Sequence, residues 1–177
     1  MKKEIMSSTD MQQALTDLAH QVLEQVADHD SLALIGIQRR GVDLAKRLST
    51  LLSDFLGTTV MCGELDINLY RDDWTTSSAT PIISATRIDF ALEDKTIILV
   101  DDVLFTGRTI RSALEAIVDF GRPQAVKLLV LIDRGHRELP IQADFIGQTV
   151  VTTRDEVVNV FVVERDGHDQ VVLETDQ

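Results

Sequence analysis

The sequence predicts an α/β protein with a mostly parallel central sheet and helices on both of its faces. Three observations predict it. Short apolar runs at residues 32–37 (LALIGI), 97–100 (IILV) and 126–132 (VKLLVLI) show little polar alternation, so they read as strands buried on both faces. Amphipathic runs of helical length lie between them, the pattern of strand–helix–strand crossovers. Charged residues collect just beyond the apolar runs, as Arg39-Arg40, Asp101-Asp102 and Asp133-Arg134. Open sheets of this class bind ligands there, outside the carboxyl ends of the strands.

Residues 9–28 place Met11, Leu15, Leu18, Val22 and Val26 at helical spacing, with Thr9 or Asp10 as the expected cap. That helix carries Asp10, Asp17, Glu24 and Asp28 and no Lys or Arg. After the strand 32–37 and the turn Gln38-Arg39-Arg40-Gly41, residues 42–56 form a second amphipathic helix. Residues 58–67 read as a strand. Periodicity is then lost over residues 68–89, which hold Arg71, the sole tryptophan Trp74 and a Thr/Ser-rich stretch ending at Pro81. A loop of that length in a compact domain points to function or disorder, and a flexible lid with arms paired as a hairpin is expected. Trp74 reads equally as a packing anchor, and Arg71 is the candidate for phosphate contact.

The strand beginning at Ile97 is expected to end at the two acids. A helix over 107–120 then stops at Gly121, with Pro123 beyond it. Strands follow at 126–132, 144–150, 157–163 and 171–173, the last two joined by a hairpin turn at Asp166-Gly167. No repeat, low-complexity tract or interdomain linker is visible. One domain spanning 1–177 is expected, with the C-terminal strands as a small hood over the sheet rim.

Composition narrows the function classes. Hydrophobic residues make up 44%, enough for a core in 177 residues, and no apolar run approaches the roughly 20 residues of a membrane helix. Two lysines near the N-terminus are not followed by an apolar segment, so a signal peptide is not expected. The single cysteine, Cys62, excludes an internal disulfide, and a reducing cytoplasm is the expected compartment. A net charge of −12 argues against broad nonspecific nucleic-acid binding.

The most informative stretch is Ile97-Ile98-Leu99-Val100-Asp101-Asp102-Val103-Leu104-Phe105-Thr106-Gly107-Arg108-Thr109. A buried strand delivers two acids, and a glycine flanked by hydroxyls then opens a helix. The first N–H groups of a helix have no internal partner and bind phosphate, while adjacent carboxylates can hold sugar hydroxyls. That chemistry is recognition of a phosphorylated ribose. In the turn before the second helix, Arg39 and Arg40 are placed to face an anion, and Gly41 allows close backbone approach.

The 97–109 stretch resembles the 5-phosphoribosyl-1-diphosphate (PRPP) signature of type I phosphoribosyltransferases. The likeness narrows at Gly36-Ile-Gln-Arg-Arg-Gly41, at Leu69-Tyr-Arg-Asp-Asp73 and above all at Leu131-Ile-Asp-Arg-Gly-His-Arg-Glu-Leu-Pro-Ile-Gln-Ala-Asp-Phe-Ile-Gly147. These resemble the PyrR family, regulators of pyrimidine biosynthesis operons that also have uracil phosphoribosyltransferase activity. The resemblance runs from Ala14 to about Leu173. It implies the type I phosphoribosyltransferase fold and transfer of the phosphoribosyl group from PRPP to N1 of uracil, giving UMP and diphosphate. Asp101 and Asp102 would hold the ribose hydroxyls, and backbone N–H groups of residues 106–109 the 5′-phosphate. Arg39, Arg40 and Arg71 would take the diphosphate, with Asp133 and Arg134 in the uracil-site region. Mg²⁺ would be held by substrate oxygens, with no dedicated protein ligands. No general base stands out, and His136 reads as a structural or rim residue.

The resemblance also implies binding of pyrimidine-operon leader RNA when UMP or UTP is bound, through the first helix, the second helix and the segment after Gly147. Thr16 and His20 share a helix face and match the family pattern. Asp17 and Gln148 stand where basic members carry arginine and lysine, and Lys46 and Arg47 are the cations that remain. Self-association as a homodimer or a multiple of one is expected, partly from the resemblance and partly because the first helix and its neighbour must bury apolar faces. The competing readings are an RNA-binding regulator with little catalysis, and a phosphoribosyltransferase for another base.

Overall fold

The computed structural model describes residues 1–71 and 86–175. In chain order they form β1 (Lys2–Met6), α1 (Ser8–Gln25), β2 (Leu32–Ile37), α2 (Arg40–Leu56), β3 (Met61–Leu65), a 3₁₀ turn (Asn68–Tyr70), β4 (Thr96–Leu104), α3 (Arg108–Val118), β5 (Ala125–Asp133), β6 (Phe145–Thr149), β7 (Glu156–Phe161), α4 (Val163–Asp166) and β8 (Gln170–Thr175). Five strands build a parallel sheet in the order β3-β2-β4-β5-β6. The chain moves outward from β2 to β3 and then crosses back to the far side of β2 with β4. The order therefore reverses between β2 and β4, and a crevice opens at their carboxyl ends.

Alternation along the central strands explains why helices cover both faces. Leu34, Ile98, Val100, Leu129, Leu131 and Phe145 point to the side covered by α1 and α2. Ala33, Ile35, Ile37, Ile97, Leu99, Leu128 and Val130 point to the side covered by Ile110, Ala113, Ala116 and Ile117 of α3. Strands apolar on both faces have no polar positions to alternate, hence the continuous runs. Each large aliphatic side chain removed from water in this way contributes about 1.5–3 kcal/mol.

Several details differ from the sequence reading. The α1 cap is Ser7, whose hydroxyl accepts the Asp10 N–H at 3.2 Å while the Asp10 carboxylate accepts the Ser7 N–H at 2.9 Å. That reciprocal box starts two residues before Thr9 and three before Asp10, the expected caps. β4 does not end at the acids. It runs through them to Leu104, with Asp101 opposite Val130 and Leu104 opposite Asp133 on β5. The continued ladder with β5 gives Asp101 and Asp102 a strand backbone instead of a loop.

The C-terminal strands form a separate antiparallel sheet, as a hood requires, but with an unexpected third member. The order is β1-β8-β7, so the first residues of the chain pair with the last. Residues 2–6, KKEIM, are too short and too charged to stand out as a strand. The link between β7 and β8 is not a two-residue hairpin. The single helical turn α4 fills it and ends at Gly167 with φ 77°. Val158, Val160 and Val171 of this small sheet, with Val162 just after β7, pack into the same core as α1 and α2.

Of the expected lid, residues 72–85 lie outside the described residues, Trp74 included. At its far end Arg87 bridges back to Glu64 on β3 in antiparallel sense, with backbone hydrogen bonds of 2.8 Å in both directions. Among the described residues, no helix is long and apolar enough to cross a membrane.

Candidate active site

Three loops meet at the carboxyl ends of β2, β4 and β5, which are adjacent in the sheet. The first follows β2. Its close approach to β4 is set by two glycines. A Cβ on Gly36 would lie 2.5 Å from the Gly41 carbonyl oxygen, and one on Gly41 would lie 2.5 Å from the Val100 carbonyl oxygen and 3.2 Å from the Asp101 Cα. The backbone of β4 therefore requires a glycine at Gly41. The first turn of α2 is thereby laid against the acids. No side chain caps that helix, whose first residues follow the cis peptide between Gln38 and Arg39.

The two arginines of this loop part company. Arg39 is exposed at the loop. Arg40 meets the Asp166 carboxylate of α4 at 3.1 and 3.3 Å, which ties this loop to α4. The Arg40 Nε is buried without a hydrogen-bond partner. Arg165, which sequence reasoning did not single out, reaches back from α4 to the Asp43 carboxylate at 2.5 Å and to the Arg39 carbonyl at 3.3 Å. Arg71 is exposed directly after the 3₁₀ turn.

The second loop holds the acids and the phosphate-type turn. Asp101 is buried and Asp102 half-buried. The Asp101 carboxylate accepts the Asp102 N–H at 2.9 Å, and the Asp102 carboxylate accepts the Val103 N–H at 2.9 Å. Burial first, and then the neighbouring Asp102 charge, push the Asp101 carboxyl well above the ordinary carboxylate range. Gly107 opens α3 at φ 92°, a left-handed conformation that a side chain would strain. Gly107 has no side chain to cap α3, and the Thr106 hydroxyl accepts the Arg108 N–H only at a long 3.4 Å. A helix that starts directly after such a glycine turn is the arrangement that holds phosphate elsewhere.

The third loop follows β5 and is laced to the second. Arg134 donates its backbone N–H to the Leu104 carbonyl, and Glu138 and Leu139 donate theirs to the Thr106 carbonyl. The Arg134 guanidinium lies over the Phe105 ring at 3.9 Å and donates to the Thr153 carbonyl at 2.9 Å, with its Nε buried and unpartnered. Asp133, also buried, accepts from the Gly135 N–H at 2.9 Å and from Arg137 at 2.6 Å. His136 is held against the Thr152 carbonyl at 2.7 Å and edge-on to Phe105. Sequence reading named Asp133 and Arg134 but missed the stacking of Arg134 on Phe105. No local pattern announces a contact between loops 29 residues apart.

Residues 1–166 match the model of the phosphoribosyl transferase domain family. Proteins named "Bifunctional protein PyrR" are similar over almost the full length. That of Acetivibrio thermocellus is 53% identical over 97% of this chain and 94% of its own. Those of Caldicellulosiruptor bescii and Thermus thermophilus are each 51% identical over 97% of this chain, and over 94% and 95% of theirs. The chain belongs to the PyrR family. Solved phosphoribosyltransferases share the fold at low identity. A hypoxanthine-guanine phosphoribosyltransferase of Bacillus anthracis superposes with a TM-score of 0.71 at 16% identity, covering 98% of each chain. A hypoxanthine phosphoribosyltransferase of Trypanosoma cruzi gives 0.69 at 16% identity over 99% of this chain and 97% of that one. The architecture is thus the type I phosphoribosyltransferase fold.

The residues that the PyrR likeness picks out for RNA lie away from the three loops, on α1. Thr16 donates its hydroxyl to the Gln12 carbonyl at 3.0 Å, and His20 stacks on Phe55 at 4.5 Å. Beside Thr16, a groove of about 450 Å³ between α1 and α2 is lined by Gln12, Thr16, Arg47, Thr50 and Asp169. The two cations nearby are both engaged. Lys46 meets Glu64 at 2.6 Å, and Arg47 meets Glu164 at 2.5 Å and Asp169 at 2.8 Å. Glu164, with help from Asp169, holds the Arg47 guanidinium above its ordinary value.

Burial of Asp101 has a consequence for stability. A carboxyl whose folded-state value is raised favours folding most below its unfolded value of 3.8, and loses that advantage as pH rises through the higher folded value. Asp101→Asn keeps the acceptor for the Asp102 N–H without a charge. Its melting temperature should therefore exceed that of the parent by a few degrees at pH 8, with the gap closing at pH 4. Differential scanning calorimetry at the two pH values measures it, and a variant less stable at pH 8 would contradict the reasoning.

Proposed function

We propose that the chain is a uracil phosphoribosyltransferase, converting PRPP and uracil to UMP and diphosphate. The observation that carries the reading is the adjacency at the β2/β4 crevice of two strand-borne acids and a glycine-opened α3 N-terminus. In this reading Asp101 and Asp102 hold the 2′- and 3′-hydroxyls, and N–H groups of residues 106–109 hold the 5′-phosphate. The β2–α2 loop with Arg39 and Arg71 takes the diphosphate, while Arg40 steadies that loop through Asp166. Asp133 and Arg134 border the uracil. The bond from the ribose anomeric carbon to the diphosphate oxygen breaks as the bond to N1 forms, and the N1 proton passes to solvent. Positive charge develops on the ribose and negative charge on the leaving group, so fixed acids and donors near each lower the barrier. Mg²⁺ would be carried on substrate oxygens, as this hard ion prefers few protein ligands beside a phosphate. Bound there, the ion supplies charge neutralisation of the diphosphate.

Uracil is favoured over other bases by the 131–147 segment, where likeness to the PyrR family is most specific. Turnover of PRPP against a panel of bases tests the choice. UMP should be the product, and a purine or orotate preferred over uracil would refute it. Asp101→Asn combined with Asp102→Asn should lower kcat/KM at least about 10³-fold, the loss expected on removing several transition-state contacts. A folded double variant with a near-parental rate would sink the assignment.

The second reading, a leader-RNA-binding regulator responsive to UMP or UTP, is supported by the kinship to proteins named bifunctional. The paired state of Lys46 and Arg47 and the acidic α1 favour weak affinity. If about two phosphates or fewer are neutralised, the slope of log affinity against log salt should stay below about 2 in magnitude, at roughly 0.7 per phosphate on a single strand. Filter binding with UMP at several salt concentrations measures it, and tight binding with a steep slope would overturn it.

We read the protein as one cytoplasmic domain that works as a homodimer or a multiple of one. Cytoplasmic residence suits Cys62, the chain's one cysteine, whose thiol is pushed up to about 11 by burial. The apolar face of α1 is already buried within the chain by Met11, Leu15, Leu18 and Val22, so it does not call for a partner. Support comes instead from α3 and the 3₁₀ turn it touches, where Leu69, Leu114, Val118 and Phe120 are exposed. Light scattering at micromolar concentration should give twice the chain mass or a multiple of that; a monomer would contradict it.

A further inference from the structure

We propose that Arg137 is a positioning residue that fixes the loop bordering the base against the loop cradling the phosphate. The proposal rests on the uracil phosphoribosyltransferase reading. Each of the three guanidinium nitrogens of Arg137 donates to a different element. Nη1 reaches the Phe105 carbonyl at 2.9 Å, one residue before the Thr106-Gly107 turn. Nη2 reaches the buried Asp133 carboxylate at 2.6 Å, one residue before Arg134. Nε reaches the Ile141 carbonyl at 2.9 Å, and the Ile141 side chain stands where a Cβ on Gly107 would approach to 3.3 Å.

Arg137 thus ties together the two ends of the space a nucleoside monophosphate must fill. With its nitrogens engaged and its side chain half-buried, it acts through its neighbours and not on the substrate. A planar fork with fixed donor directions sets a distance and an angle, which a single point charge does not. The transfer needs the ribose anomeric carbon and uracil N1 within near-attack distance, so a small shift between the loops is felt in rate. UMP spans both loops and reports their relative placement. PRPP is anchored by the acids and the phosphate turn, and it does not reach the base.

The test uses Arg137→Lys and Arg137→Gln in the full chain. Calorimetry measures UMP and PRPP affinity, each with Mg²⁺, alongside kcat and KM for uracil and a thermal melt. Expected is a fall in UMP affinity and in kcat of about tenfold for Gln, the scale of one or two lost charge-assisted hydrogen bonds. The loss should be smaller for Lys, and PRPP affinity should hold within about twofold. UMP and PRPP affinities falling together, neither falling, or both variants failing to fold would overturn the positioning role. A parent protein that does not join uracil to PRPP would instead overturn the reading beneath it.

Discussion

The contact between Gly41 and the backbone of β4 is the constraint on which the site depends. α2 can start where it does only because Gly36 and Gly41 present no side chains to one another or to Val100. Any Cβ at either position meets backbone, which cannot swing aside as a flexible side-chain end can. That contact brings the β2–α2 loop beside Asp101 at the point where the strand order reverses. It also sets the start of α2, from which Arg40 and Asp43 reach the α4 turn.

The acids illustrate how a site and its scaffold pull against each other. Extending β4 through Asp101 and Asp102 fixes their direction by the ladder with β5, which a loop would not do. The same extension buries Asp101 and raises its carboxyl, a state a core would avoid. A rigid strand carrying charge into a half-closed crevice is unfavourable without ligand and well prepared with it.

Much of this was legible in the chain. The uninterrupted apolar runs gave the parallel strands because burial on both faces leaves no polar alternation to see. The glycine and hydroxyls after the acids gave the start of α3 because only glycine takes φ 92° easily. What escaped was non-local. β1 is a strand only because β8 returns to it across the length of the chain. Arg40 could not be told from Arg39 until α4 brought Asp166 beside one of them. Arg137 looked like one more charge in a polar turn, since its three acceptors come from residues 105, 133 and 141. The end of β4 was misplaced because acids usually mark a surface, and here the neighbouring strand carries them inward.

The fastening of α4 to α2 carries an evolutionary trade-off. Arg47 grips Glu164 and Asp169 at the end of the small sheet, while Arg165 grips Asp43 from the other direction. The acids that mask Arg47 from a passing polyanion are the same ones that anchor the β7–β8 connection. A lineage drifting toward stronger attachment to nucleic acid could not unmask this cation by neutralising those acids without loosening the clasp. New positive charge is more readily gained at positions outside it, such as Asp17 and Gln148, where nothing else hangs on the side chain but solvent and, at Asp17, the Gln13 amide at 2.9 Å.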